Sequence, residues 1–255
     1  MAGGERIFPG RIVSLVPSLT EALFAFGAGE RVVGCTRYCT EPPERTGTLP
    51  KVGGTRRFSV ERVLELEPDL VVAVKEENDR EQVGELRLAG IPVFVGEPSN
   101  VASAISVLGR LAQAVEAPDA EPYLERIERA YLGLRLDLRR RRRVFAPIWK
   151  EPYMTPGGDT YAHDVLGVCG GENVFGDRSR YPEVEIGEIE AAEPEVILLP
   201  DEPYEFSEDD RQELARLDTP ASREERIYLV DGKTLTWYGP RMAESLEYLA
   251  ALIRI

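Results

Sequence analysis

Short apolar segments alternate with amphipathic helical patterns along almost the whole chain, and this alternation restricts the fold more than any other feature. The segments RIVSLV (11–16), DLVVAV (69–74) and EVILLP (195–200) have the length of buried strands. Between such segments apolar residues recur every three or four positions, as in SVERVLELEP (59–68). Strands that alternate with helices predict an α/β fold, in which parallel sheets are covered by helices.

The other predicted elements follow the same alternation. Strands are predicted at 31–35, 91–96, 143–149 and 226–232, and helices at 79–90, 101–115, 161–171, 208–217 and 240–254. Ser18 with Glu21 three residues later predicts a capping box for the first helix. Ser59 predicts an N-cap and Gly90 a helix stop.

Two features predict two similar lobes joined by a long helix. SVERVLELEPDLVVAV in the first half is similar to EIGEIEAAEPEVILLP in the second, with Pro68 aligned to Pro194. A helical pattern over 119–140 would be about 33 Å long at 1.5 Å per residue, which suits a connecting rod. The predicted organisation is therefore an N-terminal lobe at 1–117, a linking helix at 118–141 and a C-terminal lobe at 142–255.

Charge and composition exclude several classes of partner. The net charge of −14 argues against nucleic acid and against anionic lipid. No apolar stretch approaches the roughly 20 residues that a membrane span needs. The arginines at 139–143 are interpreted as cations that complement the negative end of the long helix. The three cysteines, Cys35, Cys39 and Cys169, are interpreted as small buried residues.

The sequence offers little for catalysis. His163 is the only histidine, and its neighbour Asp164 could cap the helix or orient the ring. No nucleophile elbow, phosphate-binding loop or zinc-binding helix motif is present. We therefore predict a protein that is not an enzyme, with no catalytic residues, no metal ligands and no cofactor.

Aromatic and arginine side chains follow the predicted strands, where open α/β sheets bind ligands. Such side chains suit a large, partly apolar ligand with an anionic or amide-rich rim. The predicted ligand-binding residues are Tyr38, Arg56, Arg57, Trp149, Tyr153, Tyr181, Trp237, Tyr238 and Arg241.

From about residue 11 to residue 254 the chain resembles the importer receptors whose two lobes are joined by one rigid helix. The resemblance rests on the opening strand and helix, on Tyr38 with Pro42 and Pro43, on LPKVGG before SVERVLELEPDLVVA, on LGVCGGENVFGD and on YGPRM. These receptors bind cobalamin, haem, siderophores or metals. Tyr38, the CGGEN segment and the Pro240–Arg241 pair are most similar to the cobalamin-binding branch.

The resemblance implies two Rossmann-like lobes with a ligand cleft between them, a cobalamin-like metal chelate as ligand, and no membrane insertion. It also implies a monomer that docks on ABC permease subunits through an acidic residue on each lobe, here Glu61 and Glu188. Two features depart from the branch. Thr55 and Val74 stand where the cobalamin receptor has tryptophans, and the usual disulfide partner of Cys169 is missing.

Several alternatives stay open. Family resemblance favours an extracytoplasmic location, whereas the start MAGGERIFPGRIVSLVP has no export signal and favours the cytoplasm. A cytoplasmic protein of the same fold could bind a corrinoid or tetrapyrrole without a permease. A receptor for haem, a ferric siderophore or a metal is a further alternative. A nitrogenase-like metalloenzyme would need a cluster of cysteine ligands, which three scattered cysteines do not provide.

Overall fold

The computed structural model describes residues 9–136 and 140–255, and these divide into two compact units. Unit 1 takes the described residues up to Pro98 together with Ala102–Arg126 and Tyr238–Pro240. Unit 2 takes Ser99–Val101, the described residues of Ile127–Trp237, and Arg241–Ile255. Among the described residues no helix is both long enough and apolar enough to cross a lipid bilayer.

The first half of the chain alternates strands and helices as predicted. Its elements are β1 (Ile12–Ser14), α1 (Pro17–Ala25), a 3₁₀ turn (Gly29–Arg31), β2 (Val32–Cys35), α2 (Pro43–Thr46), α3 (Val60–Glu65), β3 (Leu70–Val74), α4 (Arg80–Leu88), β4 (Val93–Gly96), α5 (Val101–Ala114) and α6 (Ala120–Arg135). Helix α6 contributes its first seven residues to unit 1 and the remainder to unit 2.

A four-stranded parallel sheet in the order β2-β1-β3-β4 forms the centre of unit 1. All five residues of β3 are buried, as expected for a strand covered on both faces. Val13, Val63, Val71 and Leu86 belong to one apolar cluster, which packs helices α3 and α4 against the sheet.

The second half contains more elements than the sequence predicted. They are β5 (Arg142–Phe145), β6 (Tyr153–Met154), α7 (Tyr161–Val168), β7 (Gly171–Asn173), β8 (Glu183–Val184), α8 (Ile186–Ala191), β9 (Val196–Pro200), α9 (Glu208–Leu214), α10 (Pro220–Arg223), β10 (Ile227–Val230), α11 (Lys233–Thr236) and α12 (Met242–Ile253).

Unit 2 also has a four-stranded parallel sheet, in the order β10-β9-β5-β7, and a small antiparallel pair, β6-β8. Its core joins Phe145, Ile189, Ile197 and Leu214. The prediction of an α/β fold built on two parallel sheets is confirmed. The lobe boundaries at 117/118 and 141/142 stay a prediction.

Several sequence predictions were wrong in detail. Ser18 does not cap helix α1, because the helix begins one residue earlier at Pro17 and Val16 is the N-cap. The segment at 161–171 is not one helix. Helix α7 ends at Val168, and Gly171 begins strand β7 beside β5.

Part of the arginine run has an acidic partner that the sequence did not predict. Helix α6 ends at Arg135, Arg139 lies outside the described residues, and Arg142 and Arg143 belong to strand β5. Arg140 and Arg142 form ion pairs with the largely buried carboxylate of Glu195, at 3.0 and 3.4 Å. Neutralisation of the helix dipole by this run stays a prediction.

Ser59 and Ser18 give a direct test of helix capping. The Ser59 Oγ accepts a hydrogen bond from the Arg62 N–H at 3.2 Å, as predicted for an N-cap. Ser59→Ala should lower the free energy of unfolding by about 1 kcal/mol in urea titrations. Ser18 is the matched control, since its buried Oγ has no hydrogen-bond partner in the described part of the chain. Ser18→Ala should not lower that free energy, because it removes no hydrogen bond. A larger loss from Ser18→Ala than from Ser59→Ala would contradict this assignment.

Candidate functional site

A tight turn places Arg37 and Tyr38 just beyond the end of strand β2 in unit 1. The Cys39 N–H donates to the Thr36 carbonyl at 3.2 Å, which closes a β-turn with Arg37 and Tyr38 at its corners. The Tyr38 side chain is 55% exposed. The Arg37 guanidinium lies 5.6 Å from the centre of the Tyr38 ring, within cation–π distance.

A second turn, at residues 54–57, lies against the first. The Arg37 N–H donates to the Gly53 carbonyl at 2.8 Å, and the Gly54 N–H donates to the Arg57 carbonyl at 2.9 Å. A Cβ atom at Gly54 would lie 3.4 Å from Tyr38 Cε2 and 3.5 Å from Arg37 Nη2. Gly54 therefore lies directly against both side chains of the first turn, at ordinary van der Waals distance.

Arg56 and Arg57 add positive charge beside Tyr38 without acidic partners. Both side chains are exposed, and neither forms a hydrogen bond or ion pair with another side chain in the described residues. Arg37 is likewise exposed and contacts only the Tyr38 ring among the charged and aromatic groups described. In a chain of net charge −14, these three arginines without carboxylate partners make a local region of positive charge.

The exposed Trp149 and the partly buried Tyr204 form an aromatic pair in unit 2. Trp149 follows strand β5, Tyr204 follows strand β9, and their ring centres are 5.8 Å apart in an edge-to-face contact. Trp149 is 43% exposed, so one part of its indole remains open to solvent. The main chain of Trp149 is fixed by a hydrogen bond from the Met154 N–H to its carbonyl at 3.1 Å.

Tyr153 lies in the core rather than on this surface. Its ring is stacked on Phe206 at 6.4 Å, and Phe206 contacts Tyr204 at 4.7 Å. Its hydroxyl donates to the Glu213 carboxylate at 3.2 Å. Burial raises the pKa of Tyr153 well above its usual range. Tyr153 therefore packs behind Tyr204 through Phe206, and the prediction that Tyr153 faces a ligand was wrong because its ring is buried.

Trp237 is also unavailable as an open aromatic face. It is only 8% exposed, and its Nε1–H donates to the Glu202 carboxylate at 2.8 Å. Lys233 and Arg241 both lie within 5.3 Å of the ring centre. The Arg241 guanidinium is 3.9 Å from the Asp231 carboxylate, so it already has an acidic neighbour.

Tyr238 is buried in unit 1, where its hydroxyl donates to the Glu77 carboxylate. Removal from water raises the pKa of Glu77 to about 7, against the lowering effect of this hydrogen bond. Sequence reasoning missed Glu77, which lies three residues beyond strand β3. The position after a strand was the only signal that could have found it.

Tyr181 is exposed on a loop of unit 2 that glycines hold in place. The N–H groups of Gly157 and Gly158 donate to the carbonyls of Arg180 and Arg178, each at 2.7 Å. A Cβ atom at either glycine would collide with the backbone at residues 176–179. The PGGD segment therefore fixes the loop that carries Tyr181, which is 41% exposed.

The two predicted docking acids, Glu61 and Glu188, differ in their hydrogen-bond and ion-pair partners. Glu61 is exposed at the start of α3, and hydrogen bonds from its own N–H and from the Ser59 hydroxyl hold its pKa below the usual range. Glu188 pairs with Arg178 at 2.6 Å and accepts from the Glu185 N–H at 2.9 Å, and these bonds lower its pKa. Glu185 and Gly187 are exposed beside it.

The one histidine has a structural setting in unit 2. The His163 Nδ1 lies 3.3 Å from the side-chain amide nitrogen of Asn173. The main-chain N–H of His163 donates to the capping hydroxyl of Thr160. The prediction that Asp164 caps or orients this residue was wrong. Thr160 is the N-cap, and the Asp164 carboxylate accepts from the Val101 N–H at 2.8 Å.

A basic cavity of about 430 Å³ lies in unit 2 near the starts of the strands. Its lining includes Arg135, Arg140, Arg141 and Arg254. Arg140 and Arg141 immediately precede β5, so this cavity is at the amino edge of the second sheet. Trp149 and Tyr204 follow their strands and lie at the carboxyl edge, where open α/β sheets bind ligands.

The two tryptophans should differ in their access to solvent. In Trp237→Phe the remaining Trp149 should be quenched strongly by acrylamide, because part of its indole is exposed. In Trp149→Phe the remaining Trp237 should be quenched weakly and emit at shorter wavelength. Stern–Volmer constants from the two variants make the comparison. Equal constants would contradict the assignment of Trp149 to an open surface.

Comparison with known proteins agrees with this architecture. The family model described as "Periplasmic binding protein" matches residues 12–234. A vitamin B12-binding protein of Yersinia pestis (strain Pestoides F) is 32% identical over 193 residues, which cover 74% of this chain and 69% of the relative.

Solved structures share the same fold. The apo form of the periplasmic haem-binding protein RhuT from Roseiflexus sp. RS-1 has a TM-score of 0.80 and 28% identity, covering 95% of this chain and 97% of that one. The periplasmic vitamin B12-binding protein BtuF of Vibrio cholerae has a TM-score of 0.82 and 22% identity, covering 96% and 97%. The family match over most of the chain, the curated relative and the shared fold together identify this chain as a member of the periplasmic binding protein family.

Proposed function

We propose that this chain is the substrate-binding protein of an ABC importer and that its ligand is a corrinoid. The observation that carries the proposal is a pair of exposed aromatic side chains, Tyr38 in unit 1 and Trp149, which packs on the partly buried Tyr204, in unit 2. Each lies at the carboxyl edge of its own parallel sheet, where this type of fold binds ligands. Vitamin B12-binding relatives support a corrinoid over other chelates.

The chemistry of the two surfaces fits a macrocycle with a polar rim. Flat aromatic rings contact an apolar ring system with little loss of side-chain freedom. Arg37, Arg56 and Arg57 would donate hydrogen bonds to amide oxygens or to a phosphate on the ligand. The function requires no catalytic residue, and binding on the outer side of the membrane follows from the proposed transport role.

Haem is the second candidate, and one observation favours it. Arginines without acidic partners also suit the two carboxylates of a haem. The haem-binding protein RhuT, at 28% identity, has the same fold. A free metal ion has less support, because no group of three or more metal-binding side chains occurs among the described residues. A ferric siderophore supplies the ligands of its own iron and stays a further alternative.

The first test mixes the purified chain with cyanocobalamin, separates free ligand on a desalting column and measures visible absorbance of the protein fraction. A stoichiometric corrinoid spectrum is expected. A parallel sample with haemin tests the second candidate. A colourless protein with cyanocobalamin and a stoichiometric haem spectrum would replace the corrinoid proposal with the haem proposal.

Substitutions of the exposed aromatic residues test whether these side chains contact the ligand. Tyr38→Ala and Trp149→Ala should each weaken corrinoid binding by about tenfold or more, because each removes an exposed aromatic contact (roughly 1–3 kcal/mol). Leu88→Ala is a matched control, since Leu88 is 90% exposed on helix α4, away from the carboxyl edge. Calorimetric titration gives the dissociation constants. Unchanged affinity in both aromatic variants would contradict the proposed surfaces.

The docking proposal concerns Glu61 in unit 1 and, in unit 2, Glu185 in place of Glu188. Glu188 is paired with Arg178, whereas the exposed side chain of Glu185 accepts the capping bond from the Glu188 N–H and forms no ion pair within the described residues. Glu61→Gln and Glu185→Gln should leave the ligand affinity unchanged and reduce uptake of labelled ligand by cells that carry the partner permease. Full uptake by the double variant would contradict permease docking through these acids. It would favour the alternative of a binding protein of this fold without a permease, which could work in the cytoplasm.

A further inference from the structure

The turn that presents Tyr38 begins and ends beside cysteines. Strand β2 ends at Cys35, and the β-turn at 36–39 brings Cys39 back beside the strand end. Both cysteine side chains are buried, whereas Arg37 and Tyr38 between them are exposed. A bond between the two sulfur atoms would close a ring of five residues that contains the proposed ligand contacts.

Lys51 holds its ammonium group against this pair. Its Nζ donates to the Cys35 Sγ at 3.2 Å, to the Cys39 carbonyl at 3.3 Å and to the Thr46 carbonyl at 2.9 Å. These three bonds use all three donors of the ammonium group and fix it in place. A cation bonded directly to a sulfur atom favours the thiolate over the thiol.

The surroundings shift the pKa values of the two thiols in opposite directions. Interaction with the Cys39 side chain and then with Lys51 lowers the pKa of Cys35 to about 7, against the raising effect of burial. Burial raises the pKa of Cys39, whose Sγ accepts a hydrogen bond from the Thr20 hydroxyl at 3.1 Å. A thiolate reacts with peroxide to form a sulfenic acid, and a neighbouring thiol can then condense with that sulfenic acid to form a disulfide.

Cys169 provides an internal contrast. It is equally buried, but its Sγ donates to the Leu246 carbonyl at 3.4 Å, and no ammonium group within residues 9–136 and 140–255 bonds to it. Burial raises the pKa of Cys169 to about 12. A cysteine that only fills space resembles Cys169. All three cysteines are buried, as predicted, but a role in filling space does not require the hydrogen bond from Lys51 to Cys35.

We propose that Cys35 and Cys39 form a redox modification site, in which hydrogen peroxide converts the pair to a disulfide that fixes the turn carrying Arg37 and Tyr38. The consequence for ligand affinity rests on the proposed function. The disulfide itself does not, because it depends only on the arrangement of Cys35, Cys39 and Lys51 in unit 1.

The reaction has two steps. The Cys35 thiolate attacks one oxygen of hydrogen peroxide, the O–O bond breaks, and hydroxide leaves with the proton that Cys35 had released, as water. The Cys39 sulfur then attacks the Cys35 sulfur, the S–O bond breaks, and the hydroxyl group leaves with the Cys39 proton as a second water. The two sulfurs lose two electrons in total and the peroxide gains two, and a small dithiol reverses the reaction.

The test is differential alkylation followed by peptide mass spectrometry of the folded chain treated with hydrogen peroxide at pH 7. Cys35 and Cys39 should become inaccessible to the alkylating reagent at the same rate, and the peptide that contains both should become 2 Da lighter. This oxidation should be at least about tenfold faster than that of Cys169, because only Cys35 has substantial thiolate at this pH. Cys39→Ser should leave a sulfenic acid at Cys35 that dimedone traps. In the Cys169→Ser variant, Cys35 and Cys39 should oxidise at the wild-type rate.

Lys51→Met separates the role of the ammonium group from proximity alone. Loss of the lysine should slow oxidation at pH 7 and move the pH at which the rate is half-maximal upward, since Cys35 then ionises less readily. If Cys35 and Cys39 stay reduced, or oxidise no faster than Cys169, the proposal is overturned. An unchanged rate in a folded Lys51→Met would overturn the activating role of Lys51.

Ligand binding is measured separately on the reduced and oxidised chain with cyanocobalamin and with haemin. We expect the affinity for whichever ligand binds to differ severalfold between the two states. A disulfide without any change in affinity overturns the link to the ligand. Failure of the reduced chain to bind either ligand contradicts the proposed function and leaves the disulfide result standing.

Discussion

Parallel strand pairing is the constraint on which the rest of this structure depends. Parallel neighbours cannot be joined by a tight turn, so each connection must leave the sheet, cross it and return. All strands of a sheet then end at the same edge, and the loops that follow them gather there. In unit 1 this places the turn after β2 beside the turn at 54–57, and in unit 2 it places Trp149 beside Tyr204.

Much of the fold could be predicted because strand and helix periods are local properties. Ser59 and Gly90 marked real helix limits, since capping depends on neighbours in sequence. The prediction that Ser18 caps helix α1 was wrong because Pro17 suits the first helical position, and the helix begins there. Strand β7 was missed because its glycine looked like a helix stop, whereas pairing with β5 decides its conformation.

The candidate site was harder to predict than the fold. An aromatic residue after a strand can point outward, as Tyr38 and Trp149 do, or inward, as Tyr153 does. That choice depends on packing partners distant in sequence, such as Phe206 and Glu202, which no local pattern reveals. The aromatic side chains that remain are Tyr38, beside arginines without carboxylate partners, in unit 1, and Trp149 with Tyr204 in unit 2. The turn that presents Tyr38 is also bounded by Cys35 and Cys39. Ligand contact and redox chemistry would thus share one short segment.

The central claim is that ligand binds at the carboxyl edges of both parallel sheets. Hydrogen–deuterium exchange of the whole chain, with and without saturating cyanocobalamin, tests it most directly. The account predicts slower exchange at 36–39, 54–57, 148–151 and 202–205, and no change around Arg140, Arg141 and Gly170 at the amino edge of the second sheet. Protection confined to that amino edge, with bound ligand present, would contradict the account.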